Sequence, residues 1–432
     1  MEDQALRSLL QMLAAVAEMN SDFCAAAAAY LRRRRDIIRA LCLRSGLRAG
    51  RRRNRRPAAE RRFWVRPGRS SAWWDHFTSG AAAPEDWRDN FRMSREALVQ
   101  LSDRLRPHVQ GETTAMRAPV DVLTKVACTL FYLSDVGRLR KTADAFGLSR
   151  SSVSVFIRQV CRAISVVLGP DYIRTPSSEQ EVEDLVRGFS RAHGLPQCLG
   201  VLDCTHVAVK APARRSSDYV NAAGTHSLNV HALCDYRSCF LDVVVKWPGG
   251  AHDARVFTES RLNSDLRDGT IPPCPKELLQ GEAAVPVYLL GDAAFPLRPQ
   301  LMKEYPAGGE TAAERRFNRA LSGARSVMRA ALGRLRARWG ALRRAMDLSV
   351  DALPAVLHAC FVLHNYCEAR GEAVAERSLN AALQHDRDAQ PPPCVSVETG
   401  DQDAEGRAVR RVLTEFLDAR RRKLESDRWR KI

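Results

Sequence analysis

Apolar residues recur at two different periods along this chain of 432 residues. In the first half the spacing is helical. Residues 1 to about 30 bring Leu6, Leu9, Leu10, Leu13 and Val16 to one helical face. Leu98, Leu101 and Leu105 share another face behind a Ser94 cap, and Asp121 to Leu133 reads as a more uniformly apolar helix. Between Lys141 and Val160 a short helix ends at Gly147. A second helix, capped by Ser149, then turns Val153, Phe156, Ile157 and Val160 inward. Helix, glycine turn, helix is helix-turn-helix grammar, although paired helices in bundles share it. The outer face of the second helix carries Arg150, Ser151, Ser154 and Arg158, residue types suited to phosphate and major-groove contacts.

After His193-Gly194-Leu195-Pro196 the pattern changes to strands. Leu199 to Asp203 and Val207 to Lys210 read as two strands, and Leu228 to Cys234 and Phe240 to Trp247 as a hairpin turning at Asp235 to Ser238. Pro248-Gly249-Gly250 breaks the second arm, a helix opens within Ala251 to Phe257, and Val285 to Gly291 is a further strand. Thr311 to Met346 is a long basic helical region with a turn or kink expected at Gly323 and at Gly333. Leu353 to Glu368 is an apolar helix, residues 371 to 402 read as a polar linker around Pro391-Pro392-Pro393, and Arg407 to Ile432 as a charged amphipathic helix. Strands followed by long helices predict an α/β fold, a mixed sheet flanked by helices on the RNase H-like plan, preceded by an all-α region. The expected organisation is a basic extension over 1–87, a helical region over 88–190, the α/β domain over 195–370, and a linker with a C-terminal helix over 371–432.

Chemistry enters at two strand tips. Asp203 follows the apolar run Cys198 to Leu202, and Asp292 follows Val287 to Gly291. A carboxylate at the end of a buried strand is costly unless it meets a cation or water. Two of them predict acids converging at one sheet edge, where oxygen ligands hold hard divalent cations. The formal net charge of +17 points to a polyanionic partner, nucleic acid before membrane. Arginines crowd residues 32–35, 51–56 and 61–62, an import signal or phosphate-binding arm, or a solvated linker. The basic helix from Arg315 to Arg344 adds Arg325 and Arg336 as expected phosphate contacts. Aromatic residues Phe63, Trp64, Trp73, Trp74, Phe77, Trp87 and Phe91 read as a docking seam rather than a base-stacking platform. The twelve cysteines are scattered without a CxxC pair, which fits buried free thiols in a reducing compartment. No signal peptide or membrane span is visible, so the expected location is the nucleus, with the cytoplasm as a further site.

Several ordered motifs then resemble the PIF/Harbinger-type DDE transposases and their domesticated nuclease relatives. They are Leu199-Gly-Val-Leu-Asp-Cys-Thr-His-Val207, Tyr219-Val-Asn, Ser227-Leu-Asn-Val-His-Ala-Leu-Cys-Asp235, Trp247-Pro-Gly-Gly-Ala-His-Asp-Ala-Arg-Val-Phe257, Leu290-Gly-Asp-Ala-Ala-Phe-Pro296 and Phe317-Asn-Arg-Ala-Leu-Ser-Gly-Ala-Arg325. The resemblance spans about residues 88 to 370. It implies an RNase H-like nuclease domain, DNA as substrate, and Mg²⁺ or Mn²⁺ held by Asp203, Asp253 and Asp292, with Asp203 and Asp292 catalytic. It also implies a separate Myb/SANT-like DNA-binding partner. His206 and His252 lie near these acids in sequence, and His206 is either a ligand-orienting group or a packed core histidine.

One departure bears on activity. The family's last acid, a glutamate a few residues after the Ala-Arg pair, aligns with Arg329, and no acid lies between Glu314 and Asp347 to replace it. A guanidinium neither ligates a cation nor gives up its proton. The expectation is a transposase-derived nuclease with weakened metal binding and impaired cleavage, or a DNA- or chromatin-binding adaptor without catalysis.

Overall fold

The computed structural model describes residues 68–111, 119–135, 138–391 and 403–429. The expected helix over 1 to 30, the arginine-rich arm, Phe63 and Trp64 lie outside them.

The helical first half is built from α1 (Ala72–Thr78), α2 (Pro84–Phe91), α3 (Arg95–Val109), α4 (Val122–Ser134), α5 (Leu139–Ala145) and α6 (Arg150–Val167), followed by α7 (Gly169–Tyr172) and α8 (Glu179–His193). Caps fall where short polar side chains precede apolar periodicity. Ser94 accepts a hydrogen bond from the Ala97 N–H, Asp121 from Thr124, Ser149 from Ser152 and Ser178 from Glu181. Gly147 sits at φ +63° between α5 and α6, the left-handed geometry that favours glycine, and Val153, Ile157 and Val160 face the core as expected. Phe156, also expected inward, is only half-buried. The aromatic cluster is a docking seam: Trp74, Phe77, Trp87 and Phe91 are buried against Phe131 and Phe146. Those four rings are therefore not open to stacking bases.

The second half holds a five-stranded sheet in the order β3-β2-β1-β4-β5. Its strands are β1 (Cys198–Ala208), β2 (Ser227–Cys234), β3 (Phe240–Pro248), β4 (Tyr288–Leu290) and β5 (Leu301–Met302). β1, β2 and β3 pair antiparallel, and β4 joins β1 in parallel. The two strands expected over Leu199–Asp203 and Val207–Lys210 are thus one strand of 11 residues. Its polar stretch is carried because β2 pairs along the whole of it, from Val201 against Cys234 to Ala208 against Ser227. Gly249 follows β3 so closely over Ser227 that a Cβ there would lie 2.2 Å from the serine Oγ.

Helices cover both faces, as the expected mixed sheet requires. On one side Leu199, Leu202, Leu233 and Leu289 pack with Val182 of α8 and with α9 (Asp253–Thr258) and α10 (Arg261–Arg267). On the other, Val201, Val207, Val230 and Leu290 join α11 (Ala312–Arg338) and α12 (Leu353–Glu368) in a core continuous with the helical first half. α11 runs unbroken for 27 residues, without the kinks expected at Gly323 and Gly333. The segment expected as a loose linker contains α13 (Glu376–Ala389), and α14 (Ala404–Trp429) follows. All nine cysteines among the described residues are free thiols, and six of them are buried. No helix among the described residues is long and apolar enough to cross a membrane.

His231 on β2 is fully buried beside Phe257 and Phe295, and neither ring nitrogen has a hydrogen-bond partner. Burial pushes its pKa down to about 4. The unfolded chain then binds a proton near pH 6.5 that the folded chain refuses until about pH 4. Stability is full above pH 6.5 and is lost as pH falls through that window, by about 3 kcal/mol. His364, lowered to about 4 mainly by burial, adds to the same loss. Replacing His231 by leucine is expected to flatten the acid limb of urea-derived stability against pH. Superimposable wild-type and variant curves between pH 7 and pH 4 would contradict it.

Candidate active site and nucleic-acid interface

Parallel pairing fixes the two acids. Val201 on β1 is opposite Leu290 on β4, so Asp203 and Asp292 each lie two residues beyond a matched pair on neighbouring strands. Adjacent strands run ~4.8 Å apart, which brings the carboxylates side by side at the sheet's edge. Both are half-buried. Each is anchored by a backbone N–H: Cys204 donates to Asp203 Oδ1 at 2.9 Å, and Ala294 to Asp292 Oδ1 at 2.9 Å.

The third acid arrives from the other side. Asp253 opens α9, and the side-chain amide of Asn229 on β2 donates to its Oδ1 at 2.8 Å and to the Ala251 carbonyl at 3.1 Å. Burial, then Asp292 and more weakly Asp253, push the Asp203 carboxyl up to about 7, against the pull of Arg325 and the Cys204 N–H. Asp292 is also raised, by burial first, with Arg325 opposing. The charge of Arg325, half-buried on α11 with no acceptor for its Nε, thus acts on both aspartates.

Arg329, the position aligned with the family's last acid, is exposed one turn farther along α11. His206 is the half-buried neighbour of Asp253: its Nδ1 meets Ser227 Oγ at 2.9 Å, and burial, partly offset by Asp253, lowers its pKa. His252 is exposed as the N-cap of α9.

The basic residues of α11 divide in two. Arg315, Arg319, Ser322, Ser326 and Arg329 are all exposed, at steps of three and four residues that align them along one helical stripe. Arg336 corrects the expectation that it touches DNA. It is 2% exposed, its Nη1 lies 2.9 Å from Asp386 of α13, and its Nη2 donates to Thr205 of β1. Arg334 and Arg338 pair with Glu368. On α6, Arg150 and Ser151 are exposed, and Ser154 and Arg158 half-buried. Val155 stands between them 48% exposed, and Arg162 extends the face; sequence periodicity had singled out neither.

Gln390, just past α13, is a contributor that sequence reading missed. Its side-chain amide accepts from the His206 N–H and donates to the His206 carbonyl, both at 3.0 Å. It closes the edge of β1 beyond the reach of short β4. No motif marks it, because a glutamine in a polar segment carries no periodic signal.

Comparison with known proteins follows this geometry. A DDE superfamily endonuclease profile matches residues 202–365, which takes in all three acids. The mouse (Mus musculus) protein named "Putative nuclease HARBI1" is 31% identical over 342 residues, 77% of this chain and 92% of that protein. The chain belongs to the Harbinger transposase-derived nuclease family. The human (Homo sapiens) "Putative nuclease HARBI1" is 30% identical over the same shares, and "Protein ALP1-like" of Arabidopsis thaliana is 27% identical over 68% of this chain and 74% of its own. No solved structure matches. The five-stranded mixed sheet and the endonuclease profile together give this Harbinger family member an α/β nuclease fold.

A DDE endonuclease domain implies dependence on a divalent metal ion in general. The donor chemistry here does not fit a complete two-ion centre. Among the described residues no group of three His, Cys, Asp or Glu side chains is placed to hold a metal ion. Arg325 brings positive charge to the two aspartates, and Arg329 is basic and exposed.

Arg336 gives a direct check on the division of α11. Arg336→Met leaves Asp386 without its buried partner and is expected to cost on the order of 3–5 kcal/mol. DNA affinity measured well below the variant's melting temperature is expected to stay within about twofold of wild type. A variant that melts normally but loses DNA binding would return Arg336 to the interface.

Proposed function

We propose that the protein binds DNA and has impaired phosphodiester cleavage, serving as a DNA- or chromatin-binding adaptor on an RNase H-like transposase scaffold. The observation that carries this reading is the acid site itself. Two aspartates stand together, but the helix facing them brings Arg325 beside them, and the position aligned with the family's last oxygen ligand is Arg329. Mg²⁺ or Mn²⁺ would bind weakly at Asp203, Asp253 and Asp292, because a guanidinium repels a cation and cannot ligate it.

Features for phosphate contact remain. The exposed stripe from Arg315 to Arg329 has no acid on it and leads toward Arg325. The helix-turn-helix formed by α5 and α6 presents Arg150, Ser151, Ser154 and Arg158, with Val155 suited to a thymine methyl. In this reading the protein works in the nucleus, and a Myb/SANT-like partner, implied by the family resemblance, assists in choosing DNA sites.

Duplex binding by fluorescence anisotropy is expected to weaken steeply with salt. Replacing Arg319 and Arg329 together by alanine should reduce the slope of log affinity against log salt by about 2. Incubation of supercoiled and linear DNA with Mg²⁺ or Mn²⁺ is expected to give no cleavage, and calorimetry should detect tighter metal binding in Arg329→Glu than in wild type. Robust wild-type cutting that disappears in Asp203→Ala would refute impairment, and a salt-independent affinity would refute phosphate contact.

A further inference from the structure

The exposed stripe on α11 does not end at Arg329. Continued at the same steps of four and three residues, it reaches Gly333 and Arg336, and α13 lies over both. A Cβ on Gly333 would come within 2.9 Å of Leu383 and 3.6 Å of Leu379, so the stripe gives up a side chain where α13 crosses it. Three residues on, Arg336 is buried under the same helix, its Nη1 donating to Asp386 at 2.9 Å. Arg343, just past α11, acts on that carboxylate too. Arg336 stands ~10 Å beyond Arg329 on nearly the same helical face. Asp386 therefore holds the position that the next phosphate would take along a row of arginines.

α13 is lightly seated on this row. Ala382 is its one buried residue, and Leu383 is 37% exposed. The ties around it are polar. Arg377 meets Asp89 in solvent, and Gln390, just past the helix, pairs with the His206 main chain and with Thr205 Oγ1. Burial lowers the pKa of Arg336 and raises that of Asp386, so both groups lose hydration by pairing. Breaking such a pair leaves an unmatched buried charge. Exchanging Asp386 for a phosphate keeps Arg336 matched and returns the carboxylate to water.

We propose that α13 is an autoinhibitory strap: its Asp386 occupies a phosphate position on the basic face of α11, and bound DNA displaces it and gains Arg336 as a further contact. The inference rests on the reading of α11 as a phosphate-binding face. In the wild type the gain of Arg336 is nearly offset by the lifting of α13, so Arg336→Met changes affinity little. Lifting the strap also frees the His206 N–H, which the Gln390 side chain holds at 3.0 Å, so that amide reports the opening directly.

Two measurements on the full chain test the strap. Hydrogen exchange of the wild type with a saturating short duplex is expected to speed up in α13 and at the His206 amide. Leu383→Ser combined with Gln390→Ala weakens the seat of α13 and leaves Arg336 and Asp386 in place. This double variant is expected to bind duplex about tenfold tighter than wild type, the worth of one charge-assisted contact, with a salt slope steeper by about 1. Adding Arg336→Met should remove the gain. Exchange in α13 and at His206 that DNA leaves unchanged in the wild type overturns the proposal. So does a double variant that exchanges faster in α13 yet binds no tighter, or a gain that survives Arg336→Met. Failure of the underlying reading looks different: wild-type affinity would then be indifferent to salt and to replacing Arg319 and Arg329 by alanine.

Discussion

The short parallel pairing of β4 with β1 is the constraint from which the site follows. Only Cys198, Gly200 and Val201 take part on β1, with an irregularity between Cys198 and Gly200 that shifts the register before Val201 meets Leu290. Beyond that point the strands are free of each other, and their next polar residues are Asp203 and Asp292. Like charges at that separation raise each other's proton affinity, and partial burial raises it further. The carboxyls therefore need a nearby positive charge or a proton, whether or not cleavage takes place. Everything else near them, from Arg325 on α11 to the Asn229 amide that fixes Asp253, can be understood as an answer to that requirement.

α11 and α13 answer it in different ways. The first part of α11 keeps its arginines in solvent, and the last part buries them. Arg336 reaches across to Thr205 on β1 while Asp386 holds it from α13, and Gln390 at the end of α13 pairs with the main chain of His206. The free half of β1 is thereby covered by polar groups from a segment outside the endonuclease profile. Buried pairs of this kind contribute little net stability but are expensive to break. Their effect is to fix the position of α13 against the sheet.

The legible parts of the fold were those with strong periodicity or a decisive cap. The apolar Leu353–Glu368 helix, the hairpin at Asp235, and the caps at Ser94 and Ser149 were all readable because one local rule governed each. α13 was not, since among its residues only Ala382 is buried and an ion pair to Arg336 does what an apolar stripe usually does. Gly333 looked like a kink, yet a Cβ there would come within 2.9 Å of Leu383, so the glycine serves close packing of α13 on an unbroken helix. Asp203 and Asp292 were visible as acids ending apolar strands. Arg336 was misread because charge in a sequence does not reveal which side of a long helix is covered, and Arg325 was visible only as one more basic residue.

The electrostatics of the acid pair also bear on how DNA could pass a site that lacks its last acidic ligand. Two fully charged aspartates would repel a phosphodiester, and in an active enzyme metal ions remove that repulsion. Here Asp203, with its carboxyl raised to about 7, is only partly ionised at neutral pH, and Arg325 adds a positive charge beside both acids. The proton affinity of both carboxyls and the charge of Arg325 thus lower the negative charge of the site without a cation. A phosphodiester backbone passing the strand tips would meet a smaller electrostatic barrier than two fully charged aspartates alone would raise. Arg329 in place of the family's last acid and Arg325 beside the remaining pair act in the same direction: each lowers the negative charge that the fold assembles at the strand tips.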